Sequence, residues 1–369
     1  MRVVENDAAL ALQTVATGAH LSPKFGMTVR EIEADGFSVD AEVDLALADD
    51  TPLAVAEATG RAVAGVARAL ARLRPDCVVL LGDRYEMLAA AQAAFLLGLP
   101  IAHLHGGEIT EGAMDDSIRH AVTKLAHLHF AAAERYANRI VQMGEDPDRV
   151  FNVGALGVDA AMELQPIAED ELDRDLGVPL RDPVLLVTYH PVTLRDGDDG
   201  AAVDAMLAAL DTVAEARIVV TGVNADPGRS AVARRMAAYA ARHPARVTLH
   251  ESLGQRRYLS VVRRAAAVVG NSSSGVIEAP ALGTPTVNVG ARQKGRLKAP
   301  SVIDCGEAAN EIATAVARAI DPAFRRSIAG QHLPYGGGGT ARKIAAVLRS
   351  ADLSRLKYKT FHDLSGAAA

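Results

Sequence analysis

Cys77-Val78-Val79-Leu80-Leu81-Gly82-Asp83-Arg84-Tyr85-Glu86 runs from an apolar stretch through a glycine into a charged helix start. One Ala-rich helical segment later, Ile101-Ala102-His103-Leu104-His105-Gly106-Gly107-Glu108 repeats the plan. Strand, crossover helix and second strand make one right-handed βαβ unit, and near-continuous apolar strands belong to a parallel sheet covered on both faces. Working outward, the same alternation predicts further strands at 10–15, 128–131 and 150–153 in a first series. A second series is predicted at 184–188, 218–221, 247–250, 267–269 and 286–289. The acidic, polar segment 162–181 separates the two series and marks the expected domain junction. The expected fold is α/β, with doubly wound domains over 1–170 and 171–345. A helix and tail at 346–369, behind the glycine turn 336–339, are expected to pack back on the first domain.

The 369 residues are 49% hydrophobic and 23% charged, which supplies a core and excludes disorder. A net charge of -6 gives no electrostatic reason to expect nucleic acid or an anionic membrane as a partner. Cys77 and Cys305 are the only cysteines, which suits reduced core thiols in a cytoplasmic protein better than a disulfide framework. No charged-then-apolar leader opens the chain and no apolar run reaches membrane-spanning length, so a soluble protein is expected.

Ligands of open α/β sheets bind beyond the carboxyl ends of the strands, which directs attention to the polar clusters there. Read as a helix, Asp115-Asp116-Ser117-Ile118-Arg119-His120 puts Ile118, Val122 and Leu125 on one apolar face. It sets Asp115 against Arg119 and Asp116 against His120. The acids stand where the helix dipole favours their ionised form. The alternative is a capped helix with two surface ion pairs. Gly270-Asn271-Ser272-Ser273-Ser274-Gly275 combines close backbone approach, hydroxyls and helix N–H groups, a means of holding phosphate, and Glu278 one turn on could accept from ribose hydroxyls. A Ser-rich N-cap turn competes with that reading. Arg292, Lys294 and Arg296 could face the same anion, with at least one of them left to a solvated loop.

His190, before Pro191, could donate to a phosphate oxygen or merely satisfy a backbone carbonyl. His103 and His105 share a strand face, yet no third ligand has metal-site spacing; His127 and His129 read as structural. Neither a Gly-x-Ser-x-Gly elbow nor the Rossmann Gly-x-Gly-x-x-Gly fingerprint is in place, which disfavours a serine triad and nicotinamide chemistry.

Taken in order over nearly the whole chain, these strings, with His190-Pro191-Val192-Thr193 and Arg292-Gln293-Lys294-Gly295-Arg296, resemble the hydrolysing UDP-N-acetylglucosamine 2-epimerases. Non-hydrolysing epimerases share the fold, but the Asp115 to His120 and His190 to Thr193 strings look like the hydrolysing branch. The resemblance implies a GT-B arrangement of two Rossmann-like domains with an interdomain active-site cleft, the uridine diphosphate on the C-terminal domain and the sugar against the N-terminal one. It implies a homodimer and neither cofactor nor metal. The reaction implied is UDP-N-acetylglucosamine and water to UDP and N-acetylmannosamine, by elimination to a glycal and rehydration, at the entry to sialic acid synthesis. Relatives act on the 4-acetamido-6-deoxy sugar of UDP-N,N'-diacetylbacillosamine, on the route to legionaminic acid.

By the same resemblance His190, Ser272, Ser273, Ser274 and Arg292 hold the diphosphate, Glu278 the ribose, and Arg84 lies near the phosphates. Asp83, Glu108, Asp115, Asp116 and His105 are the acid and base candidates, with Arg119 and His120 touching substrate. A GT-B glycosyltransferase and a non-catalytic nucleotide-sugar binder remain as alternatives. Two departures stand out. Other branches carry a glutamate at the position of His105, so His105 or Glu108 takes its work here. The opening residues 1–7 look like the latter half of a first helix, without the family's first strand and basic loop; either the start is misassigned, which is the expectation, or the chain lacks a strand and part of its site.

Overall fold

A computed structural model describes residues 1–23, 26–47, 49, 51–111, 113–192, 199–223 and 228–364, which form two compact units. The first comprises 1–108, 114–159 and 338–369, the second 109–113 and 160–337. The boundary therefore falls at Asp159, ahead of the expected 170. The helix Glu169–Leu176 belongs wholly to the second unit, because Leu172 and Leu176 bury into its core. The return to the first unit starts at Gly338, ahead of the expected 346.

In the first unit β1 (Val15–Thr17) pairs in parallel with β2 (Ala41–Val43), while β3 (Val78–Leu81), β4 (Ile101–Leu104), β5 (Leu128–Ala131) and β6 (Val150–Asn152) form a separate parallel sheet in that order. The strand expected at 10–15 begins only at Val15. One sheet face is covered by the helices Pro52–Leu73 and Tyr85–Leu96. Thr51 caps the first, accepting from the Ala54 N–H, and Pro52 opens it where a missing N–H costs nothing. Ala58, Ala62, Val66, Ala69 and Leu70 recur at helical spacing and meet Ala90, Ala93 and Ala94. On the other face Ala102, Leu104, Leu128 and Phe130 pack on Ile344 and Leu356 of the C-terminal segment. Asp159 accepts from the Thr340 and Ala341 N–H groups and so anchors the start of helix Thr340–Ser350. Val79 and Leu81 of β3 remain exposed.

The second unit is one six-stranded parallel sheet: β7 (Val184–Thr188), β8 (Arg217–Thr221), β9 (Val247–His250), β10 (Ala267–Gly270), β11 (Thr286–Val289) and β12 (Val302–Cys305), in the spatial order β12-β11-β10-β7-β8-β9. The chain reverses direction across the sheet between β7 and β10, the switch point at which such folds bind ligands. Both faces are filled, one by Leu185, Val187, Ile218 and Val269 with Val203, Met206 and Val316, the other by Leu186, Val219 and Val268 with Val261 and Ala279. The short β2 and β12 were not expected. Among the described residues no helix is long and apolar enough to cross a membrane.

Candidate active site

In the first unit the polar residues gather just beyond the carboxyl ends of β3 and β4. Gly82 adopts φ +87° at the end of β3, turning the chain so that Asp83 follows at once. Arg119, 1% exposed on helix Met114–Leu125, collects three segments: it pairs with Asp83, reaches Asp116 at 3.4 Å, and donates to the Glu108 carbonyl at 2.9 Å. It is a buried connector rather than a side chain on a solvated helix face. Val122 is buried on the apolar face, with Ile118 and Leu125 packed beside it. His120 stands 3.7 Å from Asp116; burial lowers its pKa and Asp116 opposes the shift. Asp115 lies half-buried in the first turn, beside Asp116.

β4 ends at Leu104, and His105 turns into the left-handed region at φ +65°, where a non-glycine residue is strained. The expected shared strand face of His103 and His105 is therefore lost. His105 Nδ1 lies 2.7 Å from Oε1 of Glu108, which is 1% exposed. In a neutral ring this carboxylate fixes the proton on Nδ1 and leaves the lone pair on Nε2, the arrangement of an oriented acid–base pair. The loop holding them is braced from outside: Arg139 donates to the Gly107 carbonyl, and at Gly107 a Cβ would strike the Tyr136 carbonyl. Arg84 pairs with Glu86 at 3.2 Å and lies over the Tyr85 ring. His127 Nδ1 accepts from the Ile101 N–H, and His129 is paired with the buried Glu145.

In the second unit the corresponding groups cluster at the switch point. Ser272 accepts from the Ser274 N–H and opens the turn Ser273–Gly275, the capping role that competed with phosphate binding; Glu278 begins the next helical turn, Glu278–Ala281. Asn271 is the residue that sequence reasoning passed over. Its side-chain amide accepts from the His190 N–H at 2.7 Å and donates to the His190 carbonyl at 2.8 Å, tying the end of β7 to the end of β10. Its own carbonyl accepts from Arg292 Nη1 at 3.2 Å and from the buried Gln293 at 2.8 Å. Gly270 permits this closeness, because a Cβ there would collide with the Thr188 carbonyl. His190 and Arg292 thus meet at one buried residue, Asn271, which directly precedes the Ser272 turn. Lys294 is drawn off to Glu111 at 2.8 Å and Arg296 to Thr110, so neither joins that cluster through these bonds. Thr193 lies outside the described residues. Among the described residues no group of three or more His, Cys, Asp or Glu is placed to hold a metal ion.

A family model described as UDP-N-acetylglucosamine 2-epimerase matches residues 2–349. The GDP/UDP-N,N'-diacetylbacillosamine 2-epimerase (hydrolyzing) of Campylobacter jejuni is 37% identical, covering 98% of this chain and 94% of that protein. The UDP-N,N'-diacetylbacillosamine 2-epimerase (hydrolyzing) of Legionella pneumophila is 33% identical over 93% of this chain and 89% of its own length. Among solved structures, the UDP-GlcNAc 2-epimerase of Neisseria meningitidis bound to UDP-GlcNAc matches with TM-score 0.78 at 19% identity, covering 94% of each chain, a likeness of the GT-B-like fold. A family match along almost the full length and hydrolysing relatives of more than 30% identity agree: the chain is an enzyme of the hydrolysing UDP-N-acetylglucosamine 2-epimerase family.

Proposed function

We propose that this enzyme hydrolyses a nucleoside-diphosphate 2-acetamido sugar with inversion at C2, and that UDP-N,N'-diacetylbacillosamine is its substrate. The observation that carries the reaction type is the partly exposed His105 held by the buried Glu108, set in the same strand-end cluster as Asp83, Arg119 and Asp116. The choice of sugar is supported by the relatives at 37% and 33% identity. UDP-N-acetylglucosamine is the second reading, favoured by the description of the family model.

The sugar C2–H has no neighbouring carbonyl to acidify it, so departure of the diphosphate from C1 leads. The C1–O bond breaks with its electron pair leaving on the nucleotide, a base takes the C2 proton, and a C1=C2 glycal forms. Water then adds its oxygen to C1 while a proton returns to C2 from the opposite face. Asp83, Glu108, Asp115, Asp116 and His105 are the proton-transfer groups of this scheme, with Arg119 and His120 on the sugar side. His190, Ser272, Ser273, Ser274 and Arg292 suit the diphosphate, Arg84 a phosphate oxygen, and Glu278 the ribose. Stabilising the leaving group lowers the barrier more than base strength does, because the proton is removed late. A homodimer in the cytoplasm fits this reading; burial raises the Cys305 thiol to about 11 and the Cys77 thiol to about 12, as in unreactive reduced thiols.

The test is incubation in heavy water with UDP-N,N'-diacetylbacillosamine, its GDP counterpart and UDP-N-acetylglucosamine in turn, followed by proton NMR. Free sugar carrying deuterium at C2, together with free nucleotide, identifies substrate and reaction at once. Tight UDP binding without turnover of any of the three would make the chain a nucleotide-sugar binder. Sugar transfer to an added acceptor with C2 unexchanged would make it a glycosyltransferase.

A further inference from the structure

His103 is fully buried in the middle of the first unit and has no place in the reaction scheme. Its Nε2 lies 2.8 Å from the Gly82 carbonyl oxygen, an atom that can only accept, so the ring proton sits on Nε2. Its Nδ1 is therefore an acceptor, and it faces the Thr123 hydroxyl at 3.2 Å. That hydroxyl also lies 3.0 Å from the Arg119 carbonyl, so its one proton is shared between two acceptors and each contact is weaker than a full hydrogen bond. The imidazole thus stands between the residue before Asp83 and the helix turn that carries Arg119. Asp83 and Arg119 are themselves an ion pair, and Gly82 holds a left-handed turn that tolerates little drift. Gly106 seals the cage from the other side, where a Cβ would lie 2.9 Å from the Thr123 hydroxyl and 3.1 Å from His103 Nδ1.

We propose that His103 is a positioning residue for the Asp83–Arg119 pair, gripping the backbone of one partner directly and that of the other through Thr123. Its catalytic consequence rests on the reading of Asp83 as a reacting group. Burial, which lowers the imidazole to about 4, keeps the ring neutral across the working range, as an acceptor at Nδ1 requires.

The experiment compares the full chain with His103→Phe, which keeps a flat ring without the donor, and His103→Gln, whose amide can still donate to Gly82. Thr123→Val, close in shape, removes the hydroxyl alone. Three quantities are measured: kcat and KM on the substrate turned over, UDP affinity by calorimetry, and solvent exchange of the Arg119 guanidinium protons by NMR. In His103→Phe, kcat falls about tenfold to a hundredfold, the scale for a slightly misplaced catalytic group, while UDP affinity is unchanged. Arg119 proton exchange accelerates in parallel, Thr123→Val gives a smaller change of the same kind, and His103→Gln recovers both readouts in part. Unchanged Arg119 exchange in His103→Phe overturns the proposal, as does a loss of UDP affinity matching the loss of turnover, which marks general destabilisation. If the unaltered chain turns over none of the sugars, it is the functional reading that fails, and Arg119 exchange still decides the positioning role.

Discussion

Asn271→Ala tests whether one side chain ties the second unit's site together. The substitution removes two amide hydrogen bonds, at 2.7 and 2.8 Å, that cross from the end of β10 to the His190 backbone. Both residues are buried, and depriving buried groups of a partner costs about 1–3 kcal/mol each, with partial relaxation placing the total near 2–4 kcal/mol. For a unit of this size the unfolding midpoint should drop by about 5–15 °C. The effect on ligand binding is smaller, for a structural reason. Arg292 and Gln293 hold the backbone carbonyl of Asn271, which alanine retains, so only the His190 segment is released. UDP affinity should therefore fall about tenfold, equivalent to about 1.4 kcal/mol, without collapsing. Calorimetric titration with UDP, well below the melting midpoint, and thermal unfolding are the assays. Asn271→Asp keeps the acceptor for the His190 N–H but turns an oxygen toward the His190 carbonyl, and should lose at least as much. An Asn271→Ala protein with unchanged midpoint and unchanged UDP affinity would refute the reasoning.

Glu108→Gln keeps an acceptor for His105 Nδ1 but removes the carboxylate; kcat should fall by about 10²–10⁴ with UDP affinity unchanged, read by steady-state kinetics and calorimetry. Stability should fall in two stages on acidification. Burial holds His103 and His127 down to about 4, so the unfolded chain takes up protons near 6.5 that the folded chain refuses; the stability they contribute is full above 6.5 and lost as pH falls toward 4. Burial pushes Glu145 upward, but hydrogen bonds from His129, Lys124 and Lys359 outweigh it and hold the carboxyl at about 2. Its contribution is present above 4.5 and disappears as pH falls toward 2. That contribution is about 3 kcal/mol, and urea unfolding of Glu145→Gln across the pH series should lack the lower stage while keeping the upper one.

Much of the fold was legible because a buried parallel strand is a local signal. The stretches at 128–131, 184–188, 247–250 and 286–289 coincide with β5, β7, β9 and β11, each an apolar run bounded by polar turns. β2 and β12 escaped because each carries an exposed acid, Glu42 and Asp304, which breaks the apolar pattern. In sequence, helix Glu169–Leu176 reads as a polar linker; only its two buried leucines, known from packing, assign it to the second unit. At the site, spacing placed Arg119 opposite residues of its own helix but could not reveal its ion pair with Asp83, 36 positions away. Arg139 and Thr123 gave no motif to find, since Arg139 acts on the backbone of a distant loop and Thr123 meets the ring of His103, twenty positions away.

By itself the sequence determined the α/β class, the order of most strands, the strand-end clusters and the family, because periodicity and short motifs are properties of neighbouring residues. Only the tertiary structure decided which of those polar groups meet. It made Arg119 a buried connector, set His105 in a left-handed turn against Glu108, and brought His190 and Arg292 to one residue, Asn271, the first held by its side-chain amide and the second by its backbone carbonyl. The reason is that a buried hydrogen bond depends on where two distant segments come to rest, and that is set by the packing of the whole sheet and its helices rather than by the residues on either side of it in the chain.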